Sequence, residues 1–234
     1  MNEPYLNKTK YKYLANLVNE SINELVNTNM DGDKVKDRVF ISMIGYGGSS
    51  SLAVDDIRSN YLSEFADNPL RIEKIKKKVS DGAGGLIEIE EQMPIFIESY
   101  YDKKGVRNSG AGMEYCYKLI TNFKKRQPDS EPIVFHITGG FPTDFENLLT
   151  QTNLIKNING IIMNHLLYKT KMNDFPVTSN VFDKLFKDYL FYESSSYIPD
   201  YLMNGTSIKQ NSKFVTSGIS SIINIIYEIY PIDN

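Results

Sequence analysis

Three loops of small and polar residues carry most of the side chains that could do chemistry in this chain. GYGGSSS (45–51) follows one apolar run, NSGAGM (108–113) precedes a helical pattern, and TGGFPTDF (138–145) follows a second apolar run. Backbone N–H groups bind anions where such a loop opens a helix. Hydroxyl oxygens together with a carboxylate bind a hard divalent cation. The loops are therefore candidates to hold a phosphate, a metal ion or the carboxylate of a partner.

A nucleotide site is not favoured by these loops. Neither of the glycine-rich segments 45–51 and 108–113 matches G-x-x-x-x-G-K-[ST] or G-x-G-x-x-G, and neither places a lysine or arginine after its glycines. Glycines that form tight turns between a strand and a helix explain both segments without a phosphate.

Nucleophilic catalysis has candidate hydroxyls but no well-placed base. The hydroxyls belong to Ser49, Ser50, Ser51 and Ser109. The only histidines, His136 and His165, both stand inside apolar runs that are typical of buried strands, and no G-x-S-x-G motif is present. The pattern predicts histidines buried in a sheet and argues against a hydrolase. We expect no enzyme activity.

A metal site is open to two interpretations. Two histidines and one cysteine nearly exclude a zinc cage of the usual ligands. An oxygen site for Mg²⁺ or Mn²⁺ needs hydroxyls and a carboxylate from separate loops, and neither NSGAGM nor HITGGF holds an acidic residue at its centre. The donors for a rebuilt site are Ser49, Ser50, Ser109, Thr138 and Asp144.

The composition is that of an ordinary globular protein. The chain has 234 residues, 41% hydrophobic and 24% charged, which suits one domain over residues 1–234. A net charge of −3 argues against broad attraction to nucleic acid or an anionic membrane, and no apolar run reaches the ~20 residues of a membrane helix. A single cysteine suits a reducing cytoplasm. We expect a cytoplasmic protein that binds neither nucleic acid nor membranes.

Alternating strand and helix patterns position the three loops. Helical periodicity predicts helices over 11–26, 110–123, 145–155, 180–190 and 219–230. Apolar runs predict buried strands over 38–48, 133–138 and 160–167, an edge strand within 86–99 and a last strand within 190–199. Residues 49–84 are interpreted as loop with short strands. The alternation predicts an α/β fold with a doubly wound, mostly parallel sheet, whose carboxyl edge carries the loops.

Five stretches, taken in order, carry a resemblance to a known family. They are LANLVNESINELV, DRVFISMIGYGG, GAGMEYCYKLI, PDSEPIVFHITGGFPTDF and GIIMNHLL. Their order and spacing, over nearly the whole chain, resemble a bacterial von Willebrand factor type A (vWA) domain of the subgroup found near tellurium-resistance genes. The resemblance implies a Rossmann-like, six-stranded, mostly parallel sheet with helices on both faces. It also implies protein–protein interaction through a metal-ion-dependent adhesion site.

The resemblance further implies that this metal site is degenerate. The family takes a threonine at the position of Ala111 and an aspartate at the position of Gly139, and its D-x-S-x-S turn is absent from this chain. Loss of that hydroxyl and that carboxylate leaves a hard cation with little but water. We expect no cofactor, or at most weakly bound Mg²⁺ or Mn²⁺.

The resemblance begins just after the first strand of the family. That strand lies in the middle of the family sheet, between the strands that match 38–46 and 133–138. Its absence would leave unpaired backbone groups in the core, at about 1–3 kcal/mol each. We expect an upstream strand, a partner or an unusual sheet order to close the gap. The alternative is a misplaced N-terminal match, with residues 1–10 as a frayed leader.

The leading hypothesis is a noncatalytic module that binds another protein at the rim of the three loops. The candidate contact residues are Tyr46, Ser49, Ser50, Asn108, Ser109, Gly139, Phe141 and Asp144. Phe141 and Tyr46 are the expected apolar anchors, because aromatic side chains dominate interface energetics. The alternative is that both pack under their own loops. The second hypothesis is a metal-dependent binding or regulatory domain with a rebuilt site.

Overall fold

The structure is a computed structural model that describes residues 4–5, 8–47, 54–82, 84–99, 106–167, 186–200 and 212–217. Its helices are α1 (Lys10–Thr28), α2 (Leu62–Asp67), α3 (Ser109–Lys124), α4 (Phe145–Asn157) and α5 (Phe186–Ser194). Its strands are β1 (Pro4–Tyr5), β2 (Lys8–Thr9), β3 (Met30–Asp31), β4 (Lys34–Val35), β5 (Phe40–Tyr46), β6 (Val54–Tyr61), β7 (Arg71–Ser80), β8 (Leu86–Ile95), β9 (Ile133–Thr138), β10 (Ile161–Leu166) and β11 (Val215–Ser217). Within these ranges no helix has the length and apolarity that a membrane crossing needs.

Helix α1 packs on β5 and forms the first hydrophobic core. The helix predicted over 11–26 is confirmed, and its apolar face is buried because those residues recur at helical spacing. Ile22 packs with Met43 of β5, with Phe65 of α2 and with Phe96, which follows β8. The first core therefore joins α1, α2, β5 and the end of β8.

Strand β5 confirms a strand within 38–48, but its environment differs from the prediction. It pairs antiparallel with β6, with a bulge after Met43, and Met43 is its only buried residue. The expectation of a strand buried on both faces is therefore wrong, because only one described strand lies beside β5.

Strands β7 and β8 form a two-stranded ribbon along their full ten-residue length. The edge strand predicted within 86–99 is confirmed as β8, whereas β7 is one continuous strand where short strands and loop were predicted. Gly82 and Gly84, with φ of 78° and 92°, turn the chain between the two strands. β7 is basic and β8 acidic, and ion pairs such as that of Lys76 with Glu88 join them.

Strands β9, β10 and β11 form a three-stranded parallel sheet in the order β11-β10-β9. The strands predicted over 133–138 and 160–167 and the helices over 110–123 and 145–155 are confirmed. These elements enclose a second core, formed by Met113, Leu148, Ile155, Ile162, Leu166, Leu190, Phe191 and Val215. The loops before α3 and after β9 meet above this core.

The predicted doubly wound, mostly parallel sheet is wrong. The described strands lie in five separate sheets, of which four are two-stranded and antiparallel. Regular alternation of single strands with helices begins only at α3. Before α3, β5 pairs with β6 and β7 with β8, each with its neighbour in the chain, and antiparallel neighbours need no crossover helix.

The last strand predicted within 190–199 is also wrong, because α5 runs through the start of that segment. The hydroxyls of Ser194 and Ser195 donate to the carbonyl of Phe191 at 3.1 and 2.7 Å, so they satisfy an acceptor in the last turn of the helix. The helix predicted over 180–190 is confirmed in its described part, 186–190, which belongs to α5. Residues 180–185 and the whole helix predicted over 219–230 lie outside the described residues.

Candidate functional site

The loop before α3 holds a carboxylate of the chain itself. Asp144 accepts the backbone N–H of Gly110 at 3.0 Å through Oδ1 and that of Ala111 at 2.9 Å through Oδ2. These are two of the first N–H groups of α3, which have no partner inside the helix and lie at the positive end of its dipole. The anion site that a helix start offers is therefore filled by Asp144.

The glycines of this loop serve close packing. A Cβ on Gly110 would lie 2.6 Å from the backbone nitrogen of Leu148, so the start of α3 touches the start of α4. A Cβ on Gly112 would lie 3.0 Å from Cδ1 of Tyr46. Small residues are needed here because two backbones and a tyrosine ring converge, which explains the composition without a ligand.

A buried polar chain runs from the rim into the second core. Tyr46 Oη lies 2.7 Å from Nε2 of His136, and Nδ1 of His136 lies 2.6 Å from Oδ1 of Asn164. The amide nitrogen of Asn164 donates to the hydroxyls of Ser194 and Ser195 at 2.9 and 2.7 Å. Each side chain finds a hydrogen-bond partner in the next one, so this network links β5, β9, β10 and α5.

Burial favours the neutral forms of Tyr46 and His136, the titratable members of this hydrogen-bond network. It lowers the pKa of His136 to about 4, against the opposing effect of the hydrogen bond that His136 Nδ1 makes to Asn164 Oδ1, and it raises the pKa of Tyr46. Burial also raises the pKa of the Cys116 thiol on α3 to about 12. A general base needs a pKa near the working pH and a free nitrogen. His136 has neither, and Cys116 is no thiolate near neutral pH.

Arg107 lies on the turn that follows β9. A Cβ on Gly140 would be 2.6 Å from its Nη1 and 3.2 Å from its Cδ, so the side chain rests directly on that glycine. The carbonyl of Arg107 accepts the N–H and the hydroxyl of Thr143 at 2.7 and 3.1 Å. Its side chain is exposed, and its guanidinium has no hydrogen bond or ion pair within the part of the chain that the structure describes.

Phe141 and Tyr46, the two expected aromatic anchors, both pack against other residues of this chain. The ring of Phe141 lies 6.2 Å from that of Phe145 and packs half-buried on the second core. Tyr46 is half-buried, lies under Gly112 and is bonded to His136. The alternative of packing under their own loops fits both contacts.

The other predicted rim residues are only partly brought together. Asn108 and Ser109 are buried at the start of α3, and Gly139 is half-buried after β9. Ser49 and Ser50 lie outside the described residues. Thr138 donates its hydroxyl to the carbonyl of Gly140 at 2.9 Å. In the described ranges no three His, Cys, Asp or Glu side chains converge.

Two residues that matter at this site were not predicted from the sequence. Arg107 carried a weak signal, since it stands directly before the small-residue loop. Asn164 carried another, as a polar residue in the apolar run GIIMNHLL, where burial requires hydrogen-bond partners. Both pair with residues far along the chain, which no local pattern reveals.

Comparisons with protein-family models, with curated proteins and with solved structures find no match to this chain. The resemblance to a vWA domain therefore stays a prediction.

Proposed function

We propose that this chain is a noncatalytic module that binds another protein at the rim of its loops. The observation that carries the proposal is the exposed guanidinium of Arg107, which rests on Gly140 and has no acidic partner within the described residues. A guanidinium binds a carboxylate through two parallel hydrogen bonds. The expected partner therefore presents an aspartate or glutamate side chain to the rim.

The state of the other rim groups supports binding over catalysis. Both oxygens of Asp144 accept backbone N–H groups, and both ring nitrogens of His136 have partners. A proton-transfer or nucleophilic role would require these buried bonds to break first. An exposed cation that needs no rearrangement is better suited to recognition.

The test is a comparison of partner capture by three forms of the chain. The native chain, Arg107→Glu and Arg107→Lys are immobilised, and the proteins each retains from a lysate of the native cell are quantified by mass spectrometry. We expect Arg107→Glu to lose specific partners by about tenfold or more, because it places like charges together. Arg107→Lys should keep part of the binding, because it retains the charge but loses the planar fork.

Lys78→Glu is the matched control. Lys78 is exposed on β7 opposite Glu88 of β8, and the substitution changes the net charge by the same amount as Arg107→Glu. Partners lost equally with both variants would point to general electrostatics. A set of partners that is unchanged by Arg107→Glu would contradict binding at this rim.

A further inference from the structure

Strand β5 uses only one of its two edges within the described residues. The N–H of Leu62 donates to the carbonyl of Val39 at 3.1 Å, which identifies the hydrogen-bonded pairs between β5 and β6. In an antiparallel pair the backbone groups of successive residues alternate between the two edges. The N–H and C=O groups of Phe40 and Ser42 therefore point away from β6, and no described residue bonds to them.

Strand β9 has a second unused edge. The N–H of Ile161 donates to Pro132 O at 2.9 Å and that of Leu167 to Thr138 O at 2.8 Å, so the even-numbered residues of β9 face β10. The backbone groups of Ile133, Phe135 and Ile137 face the other way. Among the described residues their one partner is the Tyr46 hydroxyl, which donates to Ile137 O at 3.3 Å.

Helix α3 shows that the two unused edges lie side by side. At its carboxyl end, the Phe123 ring lies 4.9 Å from that of Phe40, at the start of β5, and Lys124 donates to Ser130 O just before β9. At its amino end, Gly112 touches Tyr46, the last residue of β5. Both strands therefore run antiparallel to α3 and parallel to each other.

We call the space between them the β5–β9 cleft, and the Tyr46 side chain bridges it. The tyrosine side chain of residue 46 reaches across it to Ile137, and no backbone hydrogen bond joins the described parts of β5 and β9. Paired strands lie about 4.8 Å apart and exchange backbone hydrogen bonds, so the described parts of β5 and β9 are not paired with each other.

The residues that line the cleft are apolar and incompletely covered. β10, which has a strand on each side, is buried from Ile162 to Leu166, whereas Ile133, Phe135 and Ile137 of β9 are only half-buried. On β5, Phe40 and Ile44 are half-buried as well. An occupant with apolar side chains would complete this burial.

We propose that an apolar β-strand of another polypeptide inserts into the β5–β9 cleft. Each wall presents alternating N–H donors and C=O acceptors, a row of partial charges that is complementary to an extended backbone. Strand addition to an exposed sheet edge is an established form of peptide recognition, and here the occupant has two edges to bond at once. The occupant would give the backbone groups of Phe40, Ser42, Ile133 and Phe135 the hydrogen-bond partners that no described residue supplies.

The inference deepens the proposed function by naming the chemistry of a partner, and it rests on that function only in requiring a polypeptide partner. Its probe is a synthetic peptide that copies residues 160–167, GIIMNHLL, with two lysines at each end and a fluorescent label. This segment already forms a parallel strand beside β9 in the fold, on the opposite edge from the cleft, so its sequence is compatible with strand pairing to β9. A second peptide copies residues 38–45, RVFISMIG.

Two N-methylated forms of the first peptide make the test specific for insertion. One carries methyl groups on every odd backbone nitrogen of the IIMNHL core and the other on every even one. Successive N–H groups of a strand point to opposite neighbours, so each form loses the donors to one wall. We expect both to bind about tenfold more weakly or worse, by fluorescence anisotropy. Weakening by only one form would mean addition to a single edge and would overturn the proposal.

Variants of the chain test the same contact from the other side. Ser42→Pro removes the N–H that faces the cleft and leaves the bonds of Ile41 and Met43 to β6. We expect it to weaken peptide binding about tenfold, while Ser42→Ala, which keeps the N–H, binds like the native chain. Equal binding by both variants would contradict insertion.

Amide hydrogen exchange followed by NMR reports the state of the cleft directly. In the native chain alone, the amides of Ser42 and Phe135 should exchange fast and become protected when the peptide is added. Failure of both peptides to bind would overturn the proposal. Amides that are already protected without peptide would overturn it as well, because the chain then fills its own cleft. Partner capture that depends on Arg107 is independent of both outcomes. The proposed function at the rim and the inference about the cleft can therefore be rejected separately.

Discussion

Single side chains decide what the loops of this molecule hold. Asp144 was predicted as a rim contact or a metal-site oxygen, and the structure shows its carboxylate on the first N–H groups of α3. The sequence showed an acidic residue near the loop after β9, but the contact joins residues 34 positions apart. Local spacing does not encode such a pairing, because it depends on how α3 and α4 meet.

Burial of the histidines was predictable from their neighbours. His136 and His165 stand in apolar runs, and both are buried, with 4% and 3% of their surface exposed. Their predicted place inside strands is confirmed. The bond of His136 to Tyr46 was not predictable, because it joins two strands that do not pair with each other.

His136 should make folding stability depend on pH. Its pKa is about 4 in the folded chain and 6.5 in a solvated imidazole, because burial disfavours the charged form. Between those values the unfolded chain binds a proton that the folded chain does not. Stability should therefore fall as pH drops from about 6.5 to 4, by on the order of 3 kcal/mol from this residue.

The measurement is the free energy of unfolding, from denaturant titrations at several pH values across that window. Carboxylates also titrate there, so His136→Gln serves as the control, since its amide can bond to Tyr46 and Asn164 without taking a proton. The native chain should show the steeper pH dependence. Identical slopes for both proteins would contradict the assignment.

At the level of elements, periodic burial made helices and inner strands predictable. α3, α4, β9 and β10 were found within a few residues of their bounds, since each buries one face or both. β7 was missed because residues 71–80 are largely exposed and their lysines obscure the alternation of the strand. A strand stabilised mainly by pairing with its neighbour leaves a weaker pattern than one stabilised by a core.

Asn19 should be the residue that attaches the base of the β7–β8 ribbon to α1. Its Oδ1 accepts the N–H groups of Phe96 and Ile97 at 2.8 and 3.0 Å, and its amide donates to Ile97 O at 3.0 Å. Asn19→Ala leaves these backbone groups without partners. We expect a loss of about 2–4 kcal/mol in the free energy of unfolding, measured by denaturant titration.

Asn27→Ala is the matched control, because Asn27 lies on the same helix with an exposed side chain. It should change stability by less than about 0.5 kcal/mol. A similar small effect for Asn19→Ala would mean that water replaces its hydrogen bonds.

At the level of the whole molecule, the order of strands was not predictable from the chain. The alternation of strands and helices after residue 108 correctly indicated parallel pairing of β9 with β10, through α4. The same reasoning failed for β5, whose partner is its antiparallel neighbour β6. Apolar runs predict that a strand exists, whereas its partner depends on contacts between distant segments.

Metal addition should leave the stability of the whole chain unchanged. Asp144, the one carboxylate among the predicted donors, is bonded to α3, so Mg²⁺ or Mn²⁺ would compete with two backbone N–H groups. We expect millimolar metal to shift the thermal midpoint by less than about 1 °C, measured by differential scanning fluorimetry. A rise that grows with metal concentration and is abolished by Ser49→Ala with Ser50→Ala would restore the rebuilt site.

The division into two hydrophobic cores has a consequence for how the molecule unfolds. One core surrounds Met43 and Phe65, the other surrounds Leu148 and Ile162, and between their sheets the described contacts run through α3 and the Tyr46 side chain. Such units open separately when few bonds couple them. We therefore expect two unfolding transitions, and the strand proposed above, by bonding to both sheets, would merge them into one.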